Sequence, residues 1–315
     1  MGRDSKPFRK KLLLAAVRAI SRPLVWLLSR VPWNAADPIG RALGMLGYVI
    51  SKRYRRVAIA NLRAAFPEIT EANAKYLTKQ TFCNFCRAFV EFFIVRRFTQ
   101  SEINNVIELE GTENTDEALR RGKGGIILTA HFGNWEVLAR KLVAQGYPLN
   151  VIARNSDDPT MTGIINDIRQ SGGYNVMTRD SSVRTSMRCL KANEFVGILP
   201  DQNTLGSCVF VEFFGRPAAT AAGAAMFAIK TGAAILPAFC SWNPKEKKYH
   251  GIIYPALEYK LTGDTDKDAI NITAAFTRAI EDEVRKYPSQ WLWIHNRWKR
   301  AGEAQSCQLT ADSFG

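Results

Sequence analysis

The sequence predicts an α/β fold: a mainly parallel sheet flanked by helices, preceded by a helical, membrane-associating N-terminal region. Three observations predict it. Between residues 106 and 287, apolar runs of strand length alternate with stretches of helical apolar spacing, as in parallel strands joined by crossover helices. The region up to about residue 100 carries helical spacing alone. The basic charge is concentrated in the first fifth of the chain, where apolar residues are also dense. A length of 315 residues suits one large domain or two small ones. With 46% hydrophobic residues, 23% charged residues and a mean hydropathy of −0.15, a disordered polymer, a collagen-like repeat and a polytopic membrane protein are excluded.

The formal charge is +14 and the pI near 9.6, which points to an anionic partner: nucleic acid, a membrane surface or phosphorylated ligands. Residues 1–63 hold fourteen Lys or Arg against Asp4 and Asp37, so +12 of the excess lies there. The rest of the chain is close to neutral. Within Lys11–Ser29 (KLLLAAVRAISRPLVWLLS) the longest uncharged runs are Leu12–Val17, six residues, and Pro23–Ser29, seven. A bilayer span needs about 20 apolar residues. Arg18 and Arg22 share one helical face, and Leu13, Val17, Ile20, Leu24, Leu27 and Leu28 line another. Trp26 and Trp33 stand near the end, and Pro23 favours a kink. Ile39–Ile50 is apolar apart from Arg41, and Ser51–Arg56 (SKRYRR) follows it. Basic, aromatic-flanked amphipathic helices lie in the membrane interface, drawn by anionic lipid. Residues 1–63 are therefore read as membrane-anchoring helices. The plainer alternative is a core helix with a solvated basic face; a tilted span with snorkelling arginines is a third. A cleaved signal peptide is disfavoured, because Arg18 and Arg22 interrupt its apolar stretch. Residues 64–300 then form the α/β domain and 301–315 a polar tail.

Along the chain, Arg56–Phe66 and Ala72–Arg97 are expected helices, with Pro67 ending the first. Val106–Leu109 is a short strand and Glu113–Arg121 a helix. Gly125–Ala130 (GIILTA) is a buried strand, and Asn134–Gln145 a helix with Asn134 as its cap. Leu149–Ala153 is a strand, and Asp158–Ser171 a helix stopped by Gly172-Gly173. Tyr174–Met177 is a strand, Val183–Ala192 a helix, and Phe195–Leu199 and Val209–Phe214 are strands. Ala218–Thr231 is an Ala-rich helix, Ala234–Cys240 and Tyr249–Leu257 are strands, and Asp266–Tyr287 is a helix. Chemistry in such sheets gathers at the carboxyl ends of strands. His131, Arg154, and Asp201 with Gln202 all fall at such ends.

Several chemistries lack their motifs. No Ser has Gly at both −2 and +2, so there is no nucleophile elbow. Neither phosphate-cradling glycine motif occurs, and RGKGG (121–125) precedes a strand rather than following one. With His131, His250 and His295 alone, no histidine-rich metal site is expected. Cys83 and Cys86 form a C-x-x-C without a second pair, inside a helical pattern. The six cysteines are read as buried thiols in a reducing compartment.

Thr129–Glu136 reads TAHFGNWE. His131 and Glu136 are five apart across a strand-to-helix turn. An imidazole there can accept a hydroxyl proton if a carboxylate fixes its other nitrogen, and Glu136 in the first helical turn is the candidate orienter. Gly133 lets the chain turn tightly. Taken alone, the pair is equally a capping histidine beside a first-turn Glu.

HFGNWE resembles the H-x4-[DE] box of the lysophospholipid acyltransferase superfamily. Five further segments resemble one branch, the lauroyl/myristoyl acyltransferases of lipid A biosynthesis. They are VIARNSDDP (151–159) and IINDIRQSG (164–172), VGILPDQ (196–202) with VFVEFFGRPAAT (209–220), and PSQWLWIHNRWK (288–299). The resemblance spans about residues 10–300. It implies acyl transfer from a thioester, carried by acyl carrier protein or coenzyme A, to a hydroxyl of a membrane glycolipid at the cytoplasmic face of the bacterial inner membrane. No cofactor or metal is implied, and no nucleic-acid partner. It implies His131 as general base, Glu136 as its orienter, and Arg169 for an oxyanion or acceptor phosphate. Arg154, Asn134, Asp201 and Gln202 are the substrate-binding candidates; for Asp201 and Gln202 the equal alternative is tying down their loop. For either arginine the plainer reading is a surface salt bridge. The Trp291, Trp293 and Trp298 block either docks at the membrane interface or packs on the domain, and His295 reads as structural. Other acceptors stay open: a phosphoinositide mannoside, an aminolipid or a lysophospholipid. So do a thioester hydrolase and a non-catalytic membrane-binding protein.

Overall fold

A computed structural model describes residues 21, 23–153, 156, 158–178, 182–204 and 208–304. The helices are α1 (Trp33–Ile50), α2 (Lys52–Ala65), α3 (Glu71–Ile94), α4 (Gln100–Val106), α5 (Thr112–Arg120), α6 (Trp135–Ala144), α7 (Pro159–Gln170), α8 (Ser182–Lys191), α9 (Gly223–Thr231) and α10 (Thr265–Lys286). The strands are β1 (Ile107–Glu110), β2 (Gly125–Leu128), β3 (Leu149–Ala153), β4 (Asn175–Thr178), β5 (Phe195–Ile198), β6 (Val209–Phe213), β7 (Arg216–Thr220), β8 (Ala234–Asn243) and β9 (Lys248–Ile253).

Seven strands form one sheet in the order β1-β9-β8-β2-β5-β3-β4, and β6 with β7 forms a separate hairpin. Within the large sheet only β8 and β9 pair antiparallel. The sheet is thus mainly parallel, as expected. Its middle strand β2 is buried along its whole length, which is why it reads as an unbroken apolar run. One apolar core holds Ile126 and Leu128 with Phe239, Phe276 and Trp293. On the opposite face Ile127, Val137, Leu142 and Leu236 form the second.

The N-terminal helices lie against one side of this frame. α3 begins at Thr70, whose hydroxyl accepts the Asn73 N–H at 3.2 Å, and runs 24 residues. α1 packs along it at backbone contact. A Cβ at Gly40 would lie 2.4 Å from the Cα of Arg87, and one at Gly44 2.4 Å from the Cα of Cys83. Most of the basic helix read at 11–29 lies outside the described residues. Of its end, Val25 is buried against Phe92, Phe93 and Ile168, while Leu24, Trp26 and Leu27 are exposed. Among the described residues no helix is long and apolar enough to cross a membrane.

Two local differences from the sequence reading have clear causes. Residues 218–220 belong to β7, and the Ala-rich helix α9 starts only at Gly223. Phe214 (φ 54°) and Gly215 (φ 66°) are both left-handed and close a two-residue hairpin between Phe213 and Arg216. That hairpin draws the alanines into a strand despite their helical propensity. α4 was unexpected. Thr99 and Glu102 cap it reciprocally, with the Thr99 N–H donating to Glu102 at 2.7 Å.

Candidate active site

β2 and β5 are neighbours, parallel and in register, with Leu128 opposite Ile198. His131 and Asp201 each lie three residues beyond those partners, so the two strands deliver them side by side. His131 Nδ1 lies 2.8 Å from Asp201 Oδ1, and the His131 backbone N–H donates to Asp201 Oδ2 at 2.9 Å. The Trp291 indole donates to the same Oδ2 at 2.9 Å. Burial alone would raise the Asp201 pKa; the adjoining imidazole and these hydrogen bonds overcome it and hold the carboxyl below its usual range. An ionised Asp201 keeps the imidazole proton on Nδ1 and leaves the Nε2 lone pair for chemistry. The His131 side chain is 24% exposed while that of Asp201 is 1% exposed. Only the ring can meet a substrate.

The turn carrying His131 is held on three sides. The Leu292 N–H donates to the His131 carbonyl at 3.1 Å, and the Gly133 N–H to the Gln290 carbonyl at 2.9 Å. Gly133 adopts φ 53°, and a Cβ there would sit 1.6 Å from the Cys240 carbonyl oxygen, so only glycine fits. The C-terminal segment therefore forms the wall behind the histidine. Trp291 and Trp293 are buried in it, so that block packs on the domain. His295 accepts the Asn203 N–H on Nε2 at 2.9 Å, and burial depresses its pKa, which suits a neutral acceptor.

Glu136 does not orient His131, contrary to the sequence expectation. Its carboxylate is engaged elsewhere. Arg169 donates to it from Nε at 3.0 Å and from Nη2 at 2.6 Å, Tyr174 from its hydroxyl at 2.8 Å, and Trp135 from its indole at 3.2 Å. The α6 turn aims Glu136 toward α7 and β4, away from β5. The link back to His131 is Trp135, whose ring meets the imidazole edge-on at 4.9 Å between centroids. Glu136 thus fixes Arg169, and Arg140 in turn ties down the end of α7 through the Ile168 carbonyl at 2.5 Å.

Two substrate-binding expectations change. Asp201 is buried and committed to His131. Asn134 is 1% exposed: its Oδ1 accepts the Val137 N–H at 3.1 Å and its Nδ2 donates to Glu91 at 2.8 Å. It caps α6 and has no free face for a substrate. Arg154 lies outside the described residues. Gln202 is half-buried beside Asp201. Sequence reasoning missed Trp291 as a partner of Asp201, and missed Tyr174 and Glu91. The equal offsets of His131 and Asp201 from paired strands could have found the His131–Asp201 pairing, but no signal marked Trp291. No signal marked Tyr174 or Glu91. Among the described residues, no group of side chains is arranged to hold a metal ion.

The profile of the bacterial lipid A biosynthesis acyltransferase family matches residues 7–300. A lipid A biosynthesis acyltransferase of Haemophilus influenzae is 26% identical over 271 residues, covering 85% of this chain and 83% of that protein. The lipid A biosynthesis lauroyltransferase of Escherichia coli is 25% identical over 282 residues, covering 89% and 90%. A phosphatidylinositol mannoside acyltransferase of Mycobacterium tuberculosis is 26% identical over 192 residues, covering 60% and 58%. With the profile spanning nearly the whole chain and the His131 site at its strand ends, this protein belongs to the bacterial lipid A biosynthesis acyltransferase family and is an acyltransferase.

Proposed function

We propose that the chain transfers a fatty acyl group from an acyl thioester, carried by acyl carrier protein or coenzyme A, to a hydroxyl of a lipid A precursor or related membrane glycolipid. The observation that carries this reading is the His131–Asp201 pair, with Nδ1 held at 2.8 Å and Nε2 left free, in a member of an acyltransferase family. A thioester is already activated, so the reaction needs no cofactor. His131 Nε2 takes the acceptor hydroxyl proton while the oxygen attacks the thioester carbonyl carbon. The carbonyl pair moves onto oxygen as the C–O bond forms. Collapse of this intermediate breaks the C–S bond, and the imidazolium returns its proton to the departing thiolate. Asp201 balances the imidazolium charge in between. Arg169, 19% exposed and held by Glu136 through Nε and Nη2, is assigned to the oxyanion or to an acceptor phosphate. Arg154 and Gln202 are assigned to the polar parts of the substrates.

Residues 1–63 hold the enzyme at the cytoplasmic face of the bacterial inner membrane in this reading. Its support is the set of exposed apolar side chains Leu24, Leu27, Leu43, Leu46, Val49 and Ile50 beside exposed Lys52, Arg53 and Arg56. A second acceptor, a phosphatidylinositol mannoside, is favoured by the Mycobacterium tuberculosis relative.

Purified full-length chain is incubated with radiolabelled acyl–acyl carrier protein of several chain lengths. Parallel arms contain a lipid A precursor or a phosphatidylinositol mannoside, and products are weighed by mass spectrometry. Transfer to the first acceptor is expected. His131→Ala should lower it roughly 10²–10⁴-fold with an unchanged circular dichroism spectrum. Free fatty acid as the main product at saturating acceptor would make the protein a hydrolase. Wild-type turnover in His131→Ala would remove the base assignment.

A further inference from the structure

Behind the catalytic turn lies a buried polar cluster that the chemistry above does not use. Glu91 of α3 is fully buried. Its Oε2 accepts the Asn134 amide at 2.8 Å and the Tyr249 hydroxyl at 2.6 Å. Its Oε1 makes no hydrogen bond and faces Arg87 Nε at 3.6 Å. Arg87, also buried, lies over the Trp242 ring at 4.4 Å and leaves Nη2 without a partner. Burial outweighs these partners and raises the Glu91 pKa to about 7. Such a pair is a poor device for stability. Burying two charges costs several kcal/mol per ion, and apolar residues of similar volume often serve as well. Orphaned Oε1 and Nη2 add to that cost.

What the cluster does accomplish is specific. Asn134 is three residues after His131, and its side chain spans from Glu91 to the first turn of α6, which carries Trp135 and Glu136. The other hydrogen bonds on this turn come from the Asp201 carboxylate at the end of β5 and from the backbones of β8 and the C-terminal segment. Among the described residues, Glu91 alone reaches it from the N-terminal helical layer through a side-chain hydrogen bond. We infer that Glu91, through its hydrogen bond to Asn134, is a positioning residue for the acyl transfer: it sets the α6 turn so that His131, Trp135 and Glu136 stand in register. The inference rests on the proposed role of His131.

The test separates the hydrogen bond from the cap. Asn134→Ser still caps α6 but falls short of Glu91. Asn134→Asp also caps it but sets a carboxylate against Glu91. Adding Glu91→Gln to Asn134→Asp restores the bond with its polarity reversed. Turnover is measured per folded enzyme, with acyl–acyl carrier protein and a lipid A precursor. Asn134→Ser should lower kcat about tenfold and Asn134→Asp still further, with KM for the thioester within about twofold, as expected of a small misplacement of reacting groups. The Asn134→Asp/Glu91→Gln pair should return to within about threefold of wild type. Wild-type kcat in Asn134→Ser overturns the inference, whatever its melting temperature, and that variant decides alone if Asn134→Asp does not fold. A double variant no better than Asn134→Asp also overturns it. If His131→Ala is inactive while Asn134→Ser is normal, the positioning role fails and the proposed reaction stands. If His131→Ala is fully active, the base assignment on which this inference rests fails instead.

Discussion

Asp201 decides which proton the catalytic imidazole carries. Its Oδ1 faces His131 Nδ1 at 2.8 Å, and its Oδ2 receives the His131 N–H and the Trp291 indole, each at 2.9 Å. Asp201→Asn keeps the shape and removes the charge. The amide can present an N–H to Nδ1 and favour the wrong tautomer, and it no longer stabilises the imidazolium. A fall in kcat of roughly 10²–10⁴-fold is expected, with little change in KM. A kcat near wild type would show that Asp201 serves the fold alone. This relation was half legible in the sequence. The sequence marks His131 by its place at a strand end, but the nearest carboxylate along the chain is five residues away, at Glu136. Proximity along the chain favoured Glu136, whereas parallel register favours Asp201, seventy residues on. Once β2 and β5 are paired, equal offsets make the partnership inevitable. Glu136 was legible as a site residue and misread in role, because nothing in the local sequence announces that Arg169 and Tyr174 will saturate its carboxylate.

Elements whose periodicity reports their own burial were read to within a residue or two. β2, β3 and β5 are short apolar runs because both faces are covered. β7 departs from the helix its sequence predicts, because Ala218 and Ala219 favour helix locally while their strand state follows from a turn at Phe214-Gly215 and pairing with β6. The α1–α3 contact was not legible either, although Gly40 and Gly44 are four residues apart. Their lack of side chains lets two helix backbones touch. Gly44→Val would drive a Cβ to 2.4 Å from the Cα and 2.6 Å from the N of Cys83, backbone atoms with nowhere to go. It should destabilise the protein by about 1–3 kcal/mol, read as a lower urea midpoint at unchanged slope. Gly47 is the control. A Cβ there meets only the Phe82 ring at 3.4 Å, so Gly47→Ala should be neutral or gain up to about 1 kcal/mol. Equal losses in both variants would mean that α1 is not close-packed on α3.

For the whole molecule, charge and apolar exposure fall on the same elements. Residues 1–63 carry +12 of the net +14. In the described part of that region Leu46 is 56% exposed, Val49 61% and Ile50 68%, at the end of α1 where the basic start of α2 begins. Neither feature alone specifies a bilayer. Charge would suit any polyanion, and isolated exposed apolar residues are ordinary on soluble surfaces. Together they predict two separable dependences. The full chain should sediment with vesicles containing phosphatidylglycerol and much less with phosphatidylcholine vesicles. Raising salt from 0.1 to 1 M shortens the screening length from about 10 to 3 Å and should weaken that preference. Leu46→Ser and Ile50→Ser act on the other term. Each removes a partly exposed aliphatic side chain whose transfer into lipid is worth about 1–2 kcal/mol, so each should lower partitioning roughly tenfold at any salt. Binding that vanishes at 1 M salt yet ignores both substitutions would make the surface a purely electrostatic one. The α1 face would then have no part in membrane docking.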